Sequence, residues 1–528
     1  MTERVRSFWG WGYEGEGPNA EQTKGIAATL SARFERELTV ADGPRLEDVI
    51  LPPSRLTPPD ALAGICSTDP FDRAGHTYGK AYRDVVRGFH GDFSAAPDLV
   101  AFPTSEDDII ALLDWCGSIG APATPYGGGS SVVGGVECAG AVCIDLSRLD
   151  QIVEIDPVSR AARIQGGIFG PALEDGLRPH GYTLRHFPQS FEMSTLGGWL
   201  ATRSGGHYAT VYTHIDDMVE SMRVLTPTGV SESRRLPGSG AGPSPDRMFL
   251  GSEGTLGIIT EAWMRLQDRP QWRASTGVRF ATFEAGADAV RALSQSALFP
   301  TNCRLLDGAE AAISAGVGDV EGGLLVLGFE SADHPVDAWM ARAVELVADH
   351  GGAMPEGVKS SGPSAASREG AVGAWRNAFV RAPYTRDALV RMSVVADTFE
   401  TACTWDQFPT LYRGVTEAVE QAVKDVCGDG WLTCRFTHVY PDGPAPYFSV
   451  IAPGRPGSEV EQWDEIKAAA GEAVIAFGGT ITHHHAVGRD HRPWYDRQRP
   501  DVFADAFRAA KAQLDPAGIL NPGVLIDA

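Results

Sequence analysis

Residues Pro125 to Gly135 read PYGGGSSVVGG, and no other stretch constrains the fold as tightly. A short apolar strand, DLVAFP, comes before it, then the segment TSEDDIIALLDWCGS. That segment opens on a cap at Thr104-Ser105, has acids in its first turn, and carries Ile109, Leu112, Leu113 and Cys116 at helical spacing. Glycine tolerates positive φ, so a strand, a helix and a glycine loop in this order let backbone N–H groups converge on an anion. The same composition also suits a tight surface turn. No register gives G-x-G-x-x-G, because Val132 occupies the sixth position counted from Gly127, and no G-K-[ST] follows. The loop therefore belongs to a nucleotide fold other than the Rossmann or P-loop type.

The rest of the chain narrows the class. It has 528 residues, enough for two to four structural units. Hydrophobic residues make up 43% and charged residues 21%, as in a soluble globular protein. The formal charge of −23 argues against a nucleic-acid partner but leaves room for a local basic pocket. There is no apolar run of membrane-spanning length and no signal-peptide pattern. The eight cysteines show no C-x-x-C pair and no zinc spacing, so they read as reduced, in a cytoplasmic protein.

The pattern predicts an α+β protein in four parts. Residues 1–92 form a helical and irregular N-terminal segment. Residues 93–270 form a unit of short strands and hairpins, with QIVEIDPVSRAARIQGG and MRVLTPTGVSES as the hairpins. Residues 271–475 alternate strands such as NCRLLD, GLLVLGFES, CRFTHVY and APYFSVIAP with helices, as in an antiparallel sheet covered on one face. Residues 476–528 end in a helix that stops at Asp515-Pro516.

Three further segments are rich in glycine, serine or threonine: PQSFEMSTLGGWLATRSGG, HIDDMVESMRVLTPTG and DRMFLGSEGTLGIITEA. Each alone suits a turn. In this order, with PYGGGSSVVGG before them, residues 93–270 resemble the PCMH-type FAD-binding domain of the vanillyl-alcohol-oxidase superfamily. LDPAGILNPG resembles the C-terminal signature of its FAD-linked oxidase branch. FEMSTLGGWLATRSGG, PYTRD, TFETACTWD, PYFSV and THHHAVG are similar to the alkyldihydroxyacetonephosphate synthases, also called alkylglycerone-phosphate synthases.

The resemblance implies an FAD-binding domain followed by a substrate-binding cap, with the C-terminal segment completing the active site. Pro125, Tyr126, Gly127, Gly128, Gly129, Ser130 and Ser131 would hold the pyrophosphate. Pro188, Gln189, Ser190, Phe191, Glu192, Met193 and Ser194 would line the rest of the cofactor, with Thr202, Arg203, Ser204 and Gly205. Gly251, Ser252, Glu253, Gly254, Thr255, Leu256 and Gly257 would complete the contact. The RSGGH run ending at His207 mimics a covalent flavin–histidine motif but lies far from the first loop, so the expectation is non-covalent FAD.

The triplet His483, His484 and His485 follows a glycine turn. Neighbours on a strand face opposite ways, so three of them do not share one ion, and no metal is expected. The resemblance implies instead that the triplet and Tyr447 handle protons, and that Arg386 and Arg304 bind the anionic substrate. The implied reaction exchanges the acyl group of acyl-dihydroxyacetone phosphate for a fatty alcohol through a flavin N5 adduct, with no net redox change, in ether-lipid synthesis. The implied protein is a homodimer touching the inner face of a membrane at its periphery. Ala486 stands where those synthases carry glycine, and PYFSV where they carry a more aromatic run. An FAD-linked oxidase or dehydrogenase of a 2-hydroxy acid or other small alcohol is the alternative, and a catalytically silent flavin-binding module is a third reading.

Overall fold

The computed structural model describes residues 4–212, 214–315, 321–362 and 382–527. The segments that read as strands and helices assemble into two units, one built on two small sheets and one on a single large sheet.

The first unit begins with four strands in the order Cys66–Ser67, Leu99–Ala101, Val142–Asp145, Ala123–Tyr126. The last three are parallel and buried but for Pro125, which is why their sequence does not alternate between apolar and polar. The helix Glu106–Ile119 makes the crossover. It starts at a capping box between Ser105 and Asp108 and ends at Gly120, whose φ of 64° is left-handed. The chain leaves the strand Ala123–Tyr126 directly into the glycine loop. Both expected hairpins follow. They lie in a five-stranded antiparallel sheet ordered Ile152–Asp156, Ala161–Gln165, Ile258–Arg265, Val219–Thr226, Gly229–Glu232.

The second unit is a seven-stranded antiparallel sheet ordered Lys359–Ser361, Trp272–Phe280, Gly323–Ser331, Asn302–Asp307, Trp431–Val439, Pro444–Pro453, Val394–Glu400. Helices including Phe283–Ser294, Asp337–Asp349 and Phe408–Cys427 cover one face, with Leu305, Leu327, Phe436, Phe448 and Val450 in the shared core. Side chains alternate along a strand, so Tyr447 and Ser449, beside Phe448 and Val450, project from the opposite face. That face looks toward the glycine loop.

The N-terminal segment is not a separate appendage. Cys66–Ser67 adds a strand to the first sheet. The helix Ala20–Arg33, capped reciprocally by Asn19 and Gln22, packs near Met392, Val394 and Trp431 of the second unit. Arg6 donates to the Gly128 carbonyl, and Asp387 accepts from the Trp11 N–H, so residues 6–11 bridge the two units. The C-terminus returns to the first unit: Leu520 bridges in parallel to Ala123. Among the described residues no helix is long and apolar enough to cross a membrane.

This return is held by one buried ammonium. Lys511, 1% exposed, donates to the Thr255 carbonyl (2.9 Å), the Leu520 carbonyl (2.8 Å) and Asp515 Oδ2 (2.7 Å). Asp515 in turn accepts from the N–H groups of Ile519 and Leu520. Removing one member of a buried pair strands the other charge, at a cost of about 3–5 kcal/mol. Lys511→Met is expected to lower the free energy of unfolding on that scale, seen as a lower midpoint in thermal or denaturant melts, and an unchanged midpoint would contradict it.

Candidate active site

A long cavity runs between the glycine loop and the polar face of the seven-stranded sheet. Gly127, Gly128, Gly129, Ser130 and Ser131 form one end. The glycines are dictated by space. A Cβ on Gly128 would stand 2.0 Å from the Met193 carbonyl oxygen, and one on Gly129, where φ is 66°, 1.9 Å from the Tyr126 hydroxyl. The backbone itself is therefore the wall, and its N–H groups can face an anion directly. Pro188, Gln189, Ser190 and Ser194 continue the cavity, followed by Thr202, Ser204, Gly205 and His207. A narrow backbone cradle opening onto a largely apolar trough suits a flavin dinucleotide.

The other sequence-based cofactor residues stand behind this wall. Pro125 packs against Gly254, and Tyr126 is buried with its hydroxyl on the Gly75 carbonyl. Phe191 stacks among Phe187 and Trp199, Glu192 meets the Tyr384 hydroxyl, and Met193 is in the core. Arg203 caps a helix in the left-handed region and pairs with Asp216. Gly251, Ser252, Glu253, Gly254, Thr255, Leu256 and Gly257 lie outside the cavity lining. They form a buried brace whose centre is Glu253, accepting from the N–H groups of Val487 (2.9 Å) and Gly488 (2.8 Å). Burial lifts the Glu253 carboxyl to about 7, against the pull of those two donors.

Across the cavity, strand register sets the chemistry. Tyr447 is the direct partner of Glu400 on one neighbouring strand and of Arg435 on the other. The Tyr447 hydroxyl donates to Thr398 Oγ1 at 2.9 Å, and the Arg435 guanidinium lies 4.0 Å over its ring. Arg386 reaches the same cavity, with Nη1 donating to the Lys80 carbonyl (3.2 Å) and Nη2 3.7 Å from Asp397. Arg304, 1% exposed, lines it too and donates to the His207 carbonyl. Burial first, and then the charge of Arg435, bring the Arg304 guanidinium down to about 9.

The triplet is not on a strand. His483, His484 and His485 lie on a series of bends wrapped around one carboxylate. Glu400, 1% exposed, accepts the backbone N–H of His483 (2.8 Å), His484 (3.0 Å) and His485 (3.0 Å), and the Thr482 hydroxyl (2.7 Å). Burial alone would raise its pKa. Charge and hydrogen bonding from His484, with His485 and His483 behind, hold it well below the usual carboxylate range. Burial drives His483 and His485 the other way, well below the usual imidazole value. The alternation argument thus fails at this loop: one ring nitrogen from each of His438, His483 and His484 lies within 4.8 Å of the others. His483 Nδ1 and His484 Nδ1 lie 3.0 Å apart, and among the described residues neither ring nitrogen of buried His438 has a hydrogen-bond partner, a donor set close enough together to hold a metal ion. Tyr440 extends it, joining His214 and His483 through its hydroxyl.

Glu400, Arg435, Tyr440 and His214 escaped the sequence reading as site residues. TFETACTWD contains Glu400, but nothing local says that its carboxylate serves a loop 83 residues on.

The sequence comparisons agree with this geometry. Residues 97–232 match the family described as FAD binding domain, and residues 269–525 the family FAD linked oxidases, C-terminal domain. The alkyldihydroxyacetonephosphate synthase of Dictyostelium discoideum is 32% identical over 487 residues, covering 87% of this chain and 78% of that protein. The glycolate oxidase subunit GlcD of Bacillus subtilis is 26% identical over 440 residues, covering 82% and 89%. Among solved structures, an alkyldihydroxyacetonephosphate synthase in a P212121 crystal superimposes with a TM-score of 0.80 at 27% identity, covering 98% of both chains.

Glu400→Gln places an amide donor against three backbone donors. A hydrogen-bonded charged group is worth about 1.5–3 kcal/mol, and the variant should lose stability on that scale. The sign with pH follows from the depressed carboxyl. Its contribution is complete above the unfolded value of 4.5 and is lost as pH falls through the folded one. Melting wild type and variant in parallel should show a gap at neutral pH that closes below about 4.5; a gap independent of pH would show that the carboxylate charge is not what holds the loop.

Proposed function

Because the chain belongs to the alkyldihydroxyacetonephosphate synthase family of FAD-dependent enzymes, we propose that it replaces the acyl group of acyl-dihydroxyacetone phosphate with a fatty alcohol, releasing a fatty acid and forming the ether bond of an ether lipid precursor. The observation that carries this reading is that Tyr447, the histidine loop and Arg386 share one cavity with the glycine cradle. When bound, FAD supplies chemistry at the substrate carbon that no side chain here offers.

The chain's own residues account for protons and charge. Tyr447 takes a proton from the substrate carbon or its adjacent hydroxyl. His484 and His485, whose rings lie 6.0 Å and 5.4 Å from the Tyr447 ring, relay it and meet the carboxylate that leaves. Arg386 and Arg304 hold the phosphate, for which a planar guanidinium offers paired donors. The exchange consumes and produces no electrons, so no terminal oxidant is needed. Oxidation of a 2-hydroxy acid is the second reading, favoured by the glycolate oxidase relative. A 2-hydroxy acid that bleaches the flavin, with no ether product from the lipid substrates, would decide for it.

Cytoplasmic placement is part of the proposal and is supported by eight cysteines that are all free. Peripheral contact with the inner face of a membrane follows from the long-chain substrates, and a homodimer from the family resemblance.

The purified protein is expected to be yellow, with flavin released intact by acid or heat. Colour that stays with the denatured chain would establish a covalent link. Tyr447→Phe should abolish ether formation while leaving the flavin spectrum unchanged. Arg386→Lys should raise KM about ten- to a hundredfold, as expected for loss of one arm of a paired ionic contact. An unchanged KM would reduce Arg386 to the structural partner of Asp397. Chelators should leave the rate unaltered.

A further inference from the structure

One edge of the seven-stranded sheet holds Glu400, Tyr447 and Arg435 abreast on its last three strands, projecting from one face. Arg435 is 7% exposed and lies flat on Tyr447, its guanidinium carbon 4.0 Å from the ring centroid. Its far side is fixed. Nη1 donates to Glu310 Oε1 at 2.6 Å, and Glu310 Oε2 accepts the Thr433 hydroxyl at 2.6 Å. A buried ion pair is weak evidence for stability, because well-packed apolar side chains of similar volume usually serve as well. This pair brings a cation to the face of a tyrosine that lines the reaction cavity.

We propose that Arg435 is a positioning residue for the proton step: from the face of the Tyr447 ring it favours phenolate over phenol, and so sets the pH at which Tyr447 takes a proton. The inference rests on the role given to Tyr447 above. A cation over an aromatic face is attracted by the ring quadrupole, more strongly when desolvated. Ionising the hydroxyl spreads negative charge into the ring and strengthens that attraction. The step is a proton transfer alone. Tyr447 gives its proton to an imidazole of the loop or to water, and the phenolate then takes one from the substrate.

The surroundings of Tyr447 show why a cation is needed. Burial raises its pKa; Arg435 leads the opposing effects, followed by the Thr398 hydrogen bond and Arg386, while Glu400 adds to the rise. The charged and titratable groups packed against the ring from every side are Arg435 with Glu310 behind it, Glu400, Arg386, and His484 and His485 of the C-terminal loop. Arg304 stands near enough to Arg435 for the two to repel. Among the described residues Arg435 is the cation that lies on the ring itself.

The test is a titration of the FAD-loaded enzyme. The near-ultraviolet tyrosinate band of Tyr447 is isolated by subtracting Tyr447→Phe, and the pH profile of kcat/KM is recorded beside it. In Arg435→Met both midpoints should move up by about one pH unit or more, a tenfold loss of phenolate at fixed pH. Arg435→Lys, which restores a cation, should recover most of the displacement. Glu310→Gln removes the counter-charge and should move the midpoint down. Midpoints that stay in place in Arg435→Met and Arg435→Lys would make the pair purely structural and overturn the proposal. If Arg435→Met does not fold, the two variants that keep the cation decide, and an unmoved or raised midpoint in Glu310→Gln overturns it. Ether formation that survives in Tyr447→Phe would overturn the role of Tyr447 itself. An inactive Tyr447→Phe with unmoved titrations would overturn the role of Arg435 alone.

Discussion

Three backbone N–H groups and one hydroxyl converge on the carboxylate of Glu400, and the active-site geometry depends on that convergence. A loop of consecutive histidines has no ladder of its own to fix it. Largely shielded from solvent, its amides would need partners from elsewhere. Glu400 supplies them from the edge strand of the seven-stranded sheet, directly beside Tyr447. One side chain therefore fixes the distance between the tyrosine and the imidazoles. Burial drives His483 and His485 toward neutrality, against the opposing charge of Glu400.

The cavity joins elements far apart in the chain, and both termini serve as ties. The C-terminal segment threads from the histidine loop, through the Glu253 brace, to the strand that launches the glycine loop. The N-terminal residues reach the same loop from the other side, at the Gly128 carbonyl. Movement of the sheet relative to the cradle would have to disturb both ties. The Tyr447 hydroxyl and the cradle are thus held at a spacing that neither domain sets alone, as positioning catalysis demands.

The local elements were legible because their signals are local. The helix Glu106–Ile119 shows its cap at Ser105 and its stop at Gly120, and both hairpins show their turns. The glycine cradle was legible because only glycine fits against Met193 and Tyr126. What escaped was register. Arg435, Tyr447 and Glu400 lie 12 and 47 residues apart in sequence, and nothing in CRFTHVY or TFETACTWD states that they align. The histidines were misassigned to a strand because three polar neighbours after a glycine turn carry no period of their own. The glycines of residues 251–257 lie close against Arg203, Pro125 and Val224, contacts that the sequence of that loop does not show.

Charge gives the last link between fold and function. The chain carries a net charge of −23, but Arg304, Arg386 and Arg435 converge on one cavity. Such a focus attracts an anion locally even when the whole surface repels one. Arg304 and Arg435 also repel each other, and burial already disfavours both charges, which is why the Arg304 guanidinium falls to about 9. An incoming phosphate relieves that strain, because its charge favours the protonated guanidinium that burial opposes. In the proposed reaction the energy of binding a phosphate at these arginines would be coupled to the cations around Tyr447, so that anchoring one end of the substrate would prepare the other end for proton transfer.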